Sequence, residues 1–433
     1  MENYIAAIDL GTTKVVTLIG RRSAEGRVHV LASSETPSHG IVRGEVLNIQ
    51  QVVESIKSTV DDVRTKSGID IQEVYVGIAG QHIRRIENRL DNMRKNEKEE
   101  ISEREINDMQ EQMYRTGIDP DEQILHVIPQ DYNVDGYFIA NPIGVLGQRL
   151  VGNYRIFVGK SKSAEYTSLC IERAGLTLKQ HVLEPLASAK AVLSDDEMEM
   201  GVATVDIGGG TTDLAVYYDN IVRHTAVIPF GGNIISEDIR QGCGVKLSQA
   251  NAMKEQYGSC FRDLADNAVL AIPGVNGQER EISLEYLAGI IEARMEEIIE
   301  AVMFEIERSD YADKLSAGIV FTGGGAMIQH LVDFVQNKTG CPARVAKPLN
   351  ITDDSPREIR RCSYSTAVGL LLKGMEYEEK ILVPVVVKEE DKDSIEEVVT
   401  VPSVPPEHGR GKKKRITIKW PGLFDEFFND PRV

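Results

Sequence analysis

The chain has 433 residues, 42% of them hydrophobic and 27% charged, which is typical of a globular protein with a large core. Its formal net charge of −18 argues against general nucleic-acid binding, which needs a basic surface. Five cysteines without a CxxC pair are typical of thiols in a reducing cytoplasm, and we expect neither a signal peptide nor a membrane-spanning helix.

The first segment, YIAAIDLGTTKVV (4–16), predicts a strand that ends at Asp9, a short turn and a second strand. Glycine lets a backbone approach an anion closely and threonine adds donors, so the turn indicates a phosphate-binding loop. The turn residues concerned are Gly11, Thr12 and Thr13. We expect Asp9 to hold Mg²⁺ through water, because a carboxylate repels phosphate. Lys14 either pairs with a phosphate or is simply solvated.

The next part of the chain predicts a helix over 50–66 and a strand over 74–80. Residues 91–100 are charged, and SERE (102–105) is typical of a capping box that opens a helix through Tyr114. Strand signals return at 154–160, so residues 84–153 interrupt the first half. A structureless loop of that length would be unusual.

Residues 163–193 read as helical and end the first half of the chain. This stretch contains Glu184 immediately before Pro185. A glutamate before proline is commonly the exposed end of an extended piece, and from the residues alone that interpretation stays open.

The segment ATVDIGGGTTDLAVY (203–217) repeats the first device, with Asp206 standing 197 positions after Asp9. Either it is a tight glycine-rich hairpin or it is a second phosphate cradle with a carboxylate for Mg²⁺. The cradle residues are Gly208, Gly209, Gly210 and Thr211. A repeated strand–turn–strand unit indicates two related half-domains.

The second half continues with a helix over 247–258, which places Asn251 and Lys254 on one face, and a long helix from Ser283 to about Arg308. The long helix carries an apolar stripe that indicates a core face. A third glycine loop, AGIVFTGGGAMI (317–328), lacks a leading aspartate, which suits an uncharged ligand part such as a nucleoside. Its glycines are Gly323, Gly324 and Gly325.

The three loops, in this order, resemble the ATPase fold shared by actin, heat-shock chaperone ATPases and sugar kinases. Within that superfamily, five further segments resemble the bacterial cell-division protein FtsA family, and the resemblance covers roughly residues 4–375. These segments are LHVIPQDY (125–132), NPIGVLGQRL (141–150), RHTAVIPFGGN (223–233), LNITDDSP (349–356) and YSTAVGLLLKG (364–374).

The resemblance implies an α/β, actin-like fold with two ribonuclease-H-like halves and an inserted small subdomain in each half. The expected boundaries are 1–83 with 154–197 for the first half, 84–153 for its insertion, 198–230 with 305–375 for the second half, 231–304 for its small subdomain, 376–411 for a flexible linker and 412–433 for a membrane-targeting tail.

The resemblance also implies ATP and Mg²⁺ as ligands, with Lys254 among the residues that bind the nucleotide. In this superfamily an acid at the position of Glu184 orients the attacking water, so Glu184 and Asp206 are the candidate catalytic residues. We expect weak or conditional hydrolysis, with a mainly structural nucleotide. A sugar or small-molecule kinase on the same fold is the alternative, and a chaperone-like ATPase is weakened by the absence of a substrate domain after residue 375.

The partners implied are a second copy of the chain in protofilaments, the C-terminal peptide of the tubulin-like FtsZ, and later divisome proteins. Arg280 and Arg294 match basic positions of the family and are candidates for the FtsZ peptide, although solvated surface arginines explain each equally well. The family works at the cytoplasmic face of the membrane, at the division septum.

The C-terminal tail predicts a short amphipathic helix. Six of the ten residues from Arg410 to Lys419 are basic, which suits anionic lipid. At 100° per residue the acidic residues separate from an apolar face. That face comprises Trp420, Leu423, Phe424, Phe427 and Phe428. Because the polar face is acidic, docking into the groove of a partner protein is the competing interpretation.

Overall fold

The structure is a computed structural model that describes residues 4–80, 82–273 and 279–382. Within these ranges, none of the helices combines the length and the apolar character that crossing a membrane requires. The predicted linker beyond Leu382 and the predicted tail lie outside the described residues.

The described elements alternate between strands and helices along the chain. Up to residue 93 they are β1 (Ile5–Leu10), β2 (Lys14–Arg22), β3 (Val28–Pro37), β4 (Ile41–Val42), β5 (Glu45–Val46), α1 (Ile49–Ser67), β6 (Glu73–Ile78) and β7 (Arg84–Met93). Up to residue 200 they are α2 (Glu103–Met113), β8 (Glu122–Val134), β9 (Tyr137–Ile139), β10 (Arg149–Lys160), α3 (Ser161–Arg173), β11 (Thr177–Leu183), α4 (Glu184–Val192) and α5 (Asp195–Met200). The rest are β12 (Val202–Ile207), β13 (Thr212–Tyr218), β14 (Ile221–Ile228), α6 (Gly232–Cys243), α7 (Leu247–Tyr257), β15 (Val269–Pro273), β16 (Glu279–Ser283), α8 (Leu284–Arg308), β17 (Ile319–Thr322), α9 (Leu331–Thr339), β18 (Ala343–Val345) and α10 (Ser365–Leu382).

Two five-stranded sheets share one topology, with strand orders β3–β2–β1–β6–β11 and β14–β13–β12–β17–β18. In each sheet the first three strands are antiparallel, and the last two run parallel to the first strand of the hairpin. The hairpins also share their register, because β1–β2 pairs Asp9 with Val16 and β12–β13 pairs Asp206 with Asp213. The prediction of two related halves is therefore confirmed.

Two helices are exchanged between the halves. The helix α4 follows β11 of the first sheet but packs on β12 and β13 of the second. The helix α10 follows β18 of the second sheet but packs on β1, β2 and β6 of the first. The two helices cross where Gly369 lies against the carbonyl oxygen of Ala187, a contact that leaves no room for a Cβ. As a result, one apolar core runs through both halves.

The insertion in the first half is a four-stranded sheet, ordered β7–β10–β8–β9, with α2 packed against it. The predicted capping box is present, because Ser102 Oγ accepts from the Glu105 amide while the Glu105 carboxylate accepts from the Ser102 amide. The predicted end of the insertion at residue 153 is too early. Residues 154–160 are the second part of β10, which pairs with β7 and β8 rather than with the first-half sheet.

Two other predicted boundaries differ from the structure. The range 163–193, predicted as helical, contains the edge strand β11, whose mixed sequence TLKQHVL gave no alternating pattern. The helix α10 continues through Leu382, whereas the linker was predicted to begin at residue 376. The charged sequence there is helical because Tyr377 stacks on Tyr75 and Glu378 accepts hydrogen bonds from Tyr75 and Lys179.

The small subdomain of the second half comprises α6, α7, the β15–β16 hairpin and α8. The predicted core stripe of α8 is buried, which confirms its inward face. Its members are Leu287, Ile291, Ile298, Val302 and Ile306. The stripe packs with α6 and with the second sheet, so this subdomain has a continuous core with the second half.

Candidate functional site

A cleft of about 560 Å³ lies between the two halves. It is lined by all three glycine loops and by residues of α4, α7 and α10. Every residue predicted to contact nucleotide or metal lines it, and Asn251 does as well. They are Asp9, Gly11, Thr12, Thr13, Lys14, Glu184, Asp206, Gly208, Gly209, Gly210, Thr211, Lys254, Gly323, Gly324 and Gly325.

The turns of the two hairpins face each other across the cleft. A Cβ on Gly209 would overlap Oγ1 of Thr13, and a Cβ on Gly210 would lie 2.5 Å from Oγ1 of Thr12. The second turn therefore needs glycine because the threonines of the first turn occupy the space above it. This reason for the glycines is additional to the close approach of an anion that the sequence predicted.

The second turn is joined to the start of α6. The backbone amide of Gly232 donates to the carbonyl of Gly208 at 2.8 Å, and the amide of Asn233 donates to the carbonyl of Gly209 at 2.8 Å. Lys254 Nζ donates to the carbonyl of Gly232, also at 2.8 Å. Lys254 thus fastens α7 to the first residue of α6, next to the turn.

Four carboxyl groups share the cleft: Asp9, Asp206 and Asp213 are buried, and Glu184 is half-buried. Burial raises the pKa of Asp9 to about 7, with Lys14 opposing the rise and Asp206 adding to it. Burial also raises the pKa values of Glu184 and Asp213 well above their usual range, with repulsion between the carboxylates as the second cause. A cluster of this kind favours a proton or a cation between the groups.

Both exchanged helices hold Asp206. Ser188 Oγ of α4 donates to Asp206 Oδ2 at 2.6 Å, and Thr366 Oγ1 of α10 donates to the same oxygen at 3.0 Å. Burial raises the pKa of Asp206, and these two hydrogen bonds oppose that rise. The carboxylate is therefore placed at the point where the two halves cross.

Lys14, for which the sequence left open a phosphate contact or plain solvation, lines the cleft and has partners within the protein. Its Nζ lies 2.7 Å from Glu35 Oε2 and 3.7 Å from the centre of the Tyr364 ring. Tyr364 also donates its hydroxyl to Glu35, at 2.8 Å. Burial raises the pKa of Glu35, but the hydrogen bonds from Lys14 and Tyr364 outweigh it, so the net shift is downward.

The third loop closes the cleft beside Asp206. Gly323 has φ 85°, and a Cβ there would overlap Asp206 Oδ1, so glycine is required on both counts. A Cβ on Gly324 would meet nothing within 4 Å. Together with Met327 and Ile328, this loop forms an apolar, uncharged wall of the cleft, as expected for a nucleoside surface.

The sequence reasoning gave no site role to Asp213. Its carboxyl is buried in the cluster, and its Oδ1 has no hydrogen-bond partner. The repeat itself contained the signal, because Asp213 occupies the register position of Val16 in the first hairpin. A buried carboxyl where the copy has valine indicates a function.

The two arginines predicted for peptide binding lie away from the cleft and already have partners. Arg280 donates to the carbonyl of Cys243 at 2.8 Å, at the C-terminal end of α6. Arg294 Nε lies 2.6 Å from Asp238 Oδ2, and Arg294 also pairs with Glu297. The predicted tail residues Trp420, Leu423, Phe424, Phe427 and Phe428 lie outside the described residues.

Two family models match this chain. The model described as cell division protein FtsA matches residues 203–369, and the model described as SHS2 domain inserted in FTSA matches residues 80–158. The second match covers β7 to β10 of the insertion, apart from the last residues of β10.

The chain is similar to curated proteins over most of its length. It is 37% identical to cell division protein FtsA of Neisseria meningitidis over 374 residues, which cover 86% of this chain and 90% of that protein. It is 33% identical to cell division protein FtsA of Escherichia coli K12 over 388 residues, or 87% and 91% of the two chains.

Solved structures with low sequence identity share the fold. A chain of the PilM–PilN type IV pilus biogenesis complex aligns with a TM-score of 0.61 at 13% identity, covering 87% of this chain and 99% of that chain. MreB5 of Spiroplasma citri, bound to ADP, aligns with a TM-score of 0.53 at 16% identity, covering 88% and 97%. These likenesses support the actin-like architecture of the two halves.

Proposed function

The chain belongs to the FtsA family of cell division proteins, and we propose that it binds ATP and Mg²⁺ between its two halves. In this proposal the nucleotide holds the halves in an arrangement in which copies of the chain polymerise. The polymer binds the C-terminal peptide of FtsZ, tethers the division ring to the cytoplasmic face of the membrane and helps recruit later division proteins. A sugar kinase of the same fold is not favoured, because the family is one of division proteins.

The observation that carries the nucleotide proposal is the facing pair of hairpin turns with a cluster of four carboxyl groups beside them. Phosphate groups need many donors at close range, and the turns supply backbone amides and the hydroxyls of Thr12, Thr13 and Thr211. The nucleoside lies against the third glycine loop, whose wall is uncharged. The fold supports nucleotide binding in general, and the loops favour ATP.

The carboxyl groups suit a divalent cation. Burial, and after it repulsion between the carboxylates, raises the pKa values of Glu184 and Asp213, and Asp213 Oδ1 lacks a partner. Among the described residues, no three His, Cys, Asp or Glu side chains converge closely enough to chelate an ion directly. We therefore infer that Asp9 and Asp206 hold Mg²⁺ through water, which suits an ion that keeps part of its hydration shell.

Hydrolysis depends on Glu184 in this proposal. A bound Mg²⁺ would neutralise the charge of the transferring phosphoryl group. Glu184 orients the attacking water, and burial together with the neighbouring carboxylates raises the pKa of Glu184, which disfavours its ionised form. Turnover is therefore slow and conditional, and the nucleotide acts mainly as a structural ligand.

The test measures the affinity of a fluorescent ATP analogue with Mg²⁺ and with EDTA, and then phosphate release. In Asp206→Asn we expect the gain in affinity from Mg²⁺ to shrink by about tenfold, while Glu184→Gln binds nucleotide normally and releases less phosphate. An unchanged dependence on Mg²⁺ in Asp206→Asn contradicts the metal site. Release stimulated by a sugar favours the kinase.

The FtsZ site is proposed on the small subdomain of the second half. Arg280 is the better probe, because the residue is exposed and its guanidinium donates to a backbone carbonyl rather than pairing with a carboxylate as Arg294 does. Reversal of Arg294 would also break its pair with Asp238, so a loss of binding there would not separate recognition from folding. We expect Arg280→Glu to weaken binding of the acidic peptide, with Arg262→Glu on the same subdomain as the control. Equal binding by both variants would remove Arg280 from the site.

Membrane attachment is proposed for residues 412–433. Pelleting with anionic vesicles, with and without ATP and FtsZ, compares the parent chain with a Phe424→Glu and Phe427→Glu double variant. We expect the parent to pellet with the vesicles and the variant to stay in solution. If neither chain pellets but the variant still abolishes division, the aromatics dock into a partner protein.

A further inference from the structure

The segment LHVIPQDY (125–132) lies in the middle of β8, the strand of the insertion that is nearest to both halves. Two of its polar side chains, His126 and Gln130, are only 6% and 7% exposed. Each points out of the insertion sheet and bonds the backbone of another sheet's edge strand. The segment therefore has a role outside the insertion.

His126 contacts the strand that leads into the cleft. Its Nε2 accepts a hydrogen bond from the backbone amide of Leu183 at 3.3 Å. Leu183 is the last residue of β11 and the N-cap of α4, a cap without a side-chain hydrogen bond of its own. Glu184 follows directly, as the first residue of α4. The imidazole thus holds the backbone from which the Glu184 carboxyl projects.

The hydrogen bond requires a neutral ring with its proton on Nδ1, because a protonated imidazole has no lone pair on Nε2. Burial, together with Lys373 of α10 and His181 of β11, lowers the pKa of His126 to about 4. These are the charged and titratable groups that act on the ring from the elements packed against it. The acceptor is therefore present throughout the physiological pH range.

Gln130 anchors the same strand to the other half. It is the extra residue of a β-bulge, since Asn153 pairs with Asp131 and Tyr154 with Pro129. Its Nε2 donates to the carbonyl of Val222 at 3.0 Å, on the edge strand β14. Because β8 is bonded to both halves, a shift of the insertion changes the position of the α4 N-terminus relative to the second half.

We propose that His126 is a positioning residue that fixes the first turn of α4 and so couples the insertion to Glu184. This inference rests on the proposed role of Glu184 in hydrolysis. A ligand that moved the insertion would then alter turnover without touching the nucleotide.

The first experiment follows amide hydrogen exchange in peptides that cover residues 177–192. In His126→Leu, which removes the acceptor, we expect exchange near Leu183 to become about tenfold faster. In His126→Gln, whose Oε1 stands near the position of Nε2, exchange should stay near the parent rate. Gln110→Leu is the matched control, because Gln110 also bonds β8 but does not contact α4. Equal effects of His126→Leu and Gln110→Leu overturn the proposal.

The second experiment separates binding from turnover. His126→Leu should lower phosphate release by about tenfold at saturating ATP and leave nucleotide affinity unchanged, and His126→Gln should restore the rate. A loss of affinity with an unchanged saturating rate contradicts positioning. If the parent chain releases no phosphate, the hydrolysis proposal fails, while the exchange result still decides whether His126 holds Leu183.

A measurement on the parent chain tests the proposal even if a variant does not fold. Nitrogen-15 shifts of labelled histidine rings should include a neutral ring with its proton on Nδ1, and that signal should not titrate down to pH 5.5. Its absence from His126→Gln assigns it. A signal with the proton on Nε2, or an ordinary histidine titration, overturns the proposal.

Discussion

The two hairpins that face the cleft have the same backbone geometry but different side chains. Each cross-strand pair of the second hairpin stands 197 positions after the equivalent pair of the first, so β1–β2 and β12–β13 have the same geometry. The first turn has Thr12 and Thr13 where the second has Gly209 and Gly210. The two copies of the hairpin can thus take different roles. The first turn supplies hydroxyl groups, and the second turn leaves the space that those hydroxyl groups occupy.

The carboxyl groups are divided unequally as well. The first hairpin contributes Asp9 alone, whereas the second contributes Asp206 and Asp213. At the position equivalent to Asp213, the first hairpin has Val16, which is fully buried. The two hairpins therefore contribute carboxyl groups to the cleft in a ratio of one to two, and four predictions test how far this asymmetry matters.

The largest effect is expected where the two turns touch. Gly209→Val would drive a side chain into Thr13, and we expect nucleotide binding to be abolished while the chain stays folded. The reciprocal exchange, Gly209→Ala with Thr13→Gly, moves the side chain to the other turn. It should recover part of the affinity that Gly209→Ala alone loses. Normal nucleotide affinity in a folded Gly209→Val chain contradicts the proposed site.

Asp213→Val makes the second hairpin resemble the first. Removing a buried carboxyl group from its repelling neighbours should stabilise the nucleotide-free chain by about 1–2 kcal/mol, measured by urea unfolding. Phosphate release with Mg²⁺ should fall by about tenfold or more in the same variant. A chain that is less stable and hydrolyses at the parent rate would show that Asp213 serves packing.

The pH dependence of stability tests Asp9. Its pKa is about 7 in the folded chain and near 4 when unfolded, so the folded state binds more protons between these values. Stability from this group is therefore lost as the pH rises from about 4 to 7, by about 1.4 kcal/mol per pH unit. The free energy of unfolding of the parent should therefore fall relative to that of Asp9→Asn across this window. Taking the difference between the two chains also cancels the opposite contribution of His126 and His181, which both chains share. A constant difference contradicts the raised pKa.

The smallest effect is expected at Lys14, although it lies in the first loop. Its partner Glu35 is 45% exposed, so the pair is screened by solvent. Lys14→Ala should lower stability by about 0.5–1 kcal/mol and change ATP affinity by less than about threefold. Thr211→Ala, at the equivalent position of the second turn, is the comparison. A tenfold loss of ATP affinity in Lys14→Ala but not in Thr211→Ala would indicate that Lys14 contacts a phosphate.

Local pattern was enough to predict the hairpins, the helices α1, α2, α7 and α8, and the residues of the cleft. Each has a short-range signal, such as the capping box at Ser102 or the repeated aspartate at Asp206. The FtsA resemblance added the fold and the presence of an insertion, and both stand.

The errors arise where distant residues decide. The edge strand β11 has no alternating pattern because the insertion covers it, with His126 bonded to its last residue. The sequence of α10 after residue 375 is charged, and residues far away in the chain, among them Tyr75, Lys179 and Lys190, make it part of the fold. The ion pair between Lys14 and Glu35 likewise depends on the register of β2 and β3, which the sequence pattern did not give.

The exchange of α4 and α10 between the halves affects the cooperativity of thermal unfolding. Each five-stranded sheet has a face covered by a helix from the other half, so neither repeat on its own completes the core that runs through both halves. Calorimetry should therefore record one cooperative transition for both repeats, and a fragment limited to residues 198–375 should not fold autonomously. The two duplicated halves therefore unfold as one cooperative unit, and opening of the cleft must deform the core that they share.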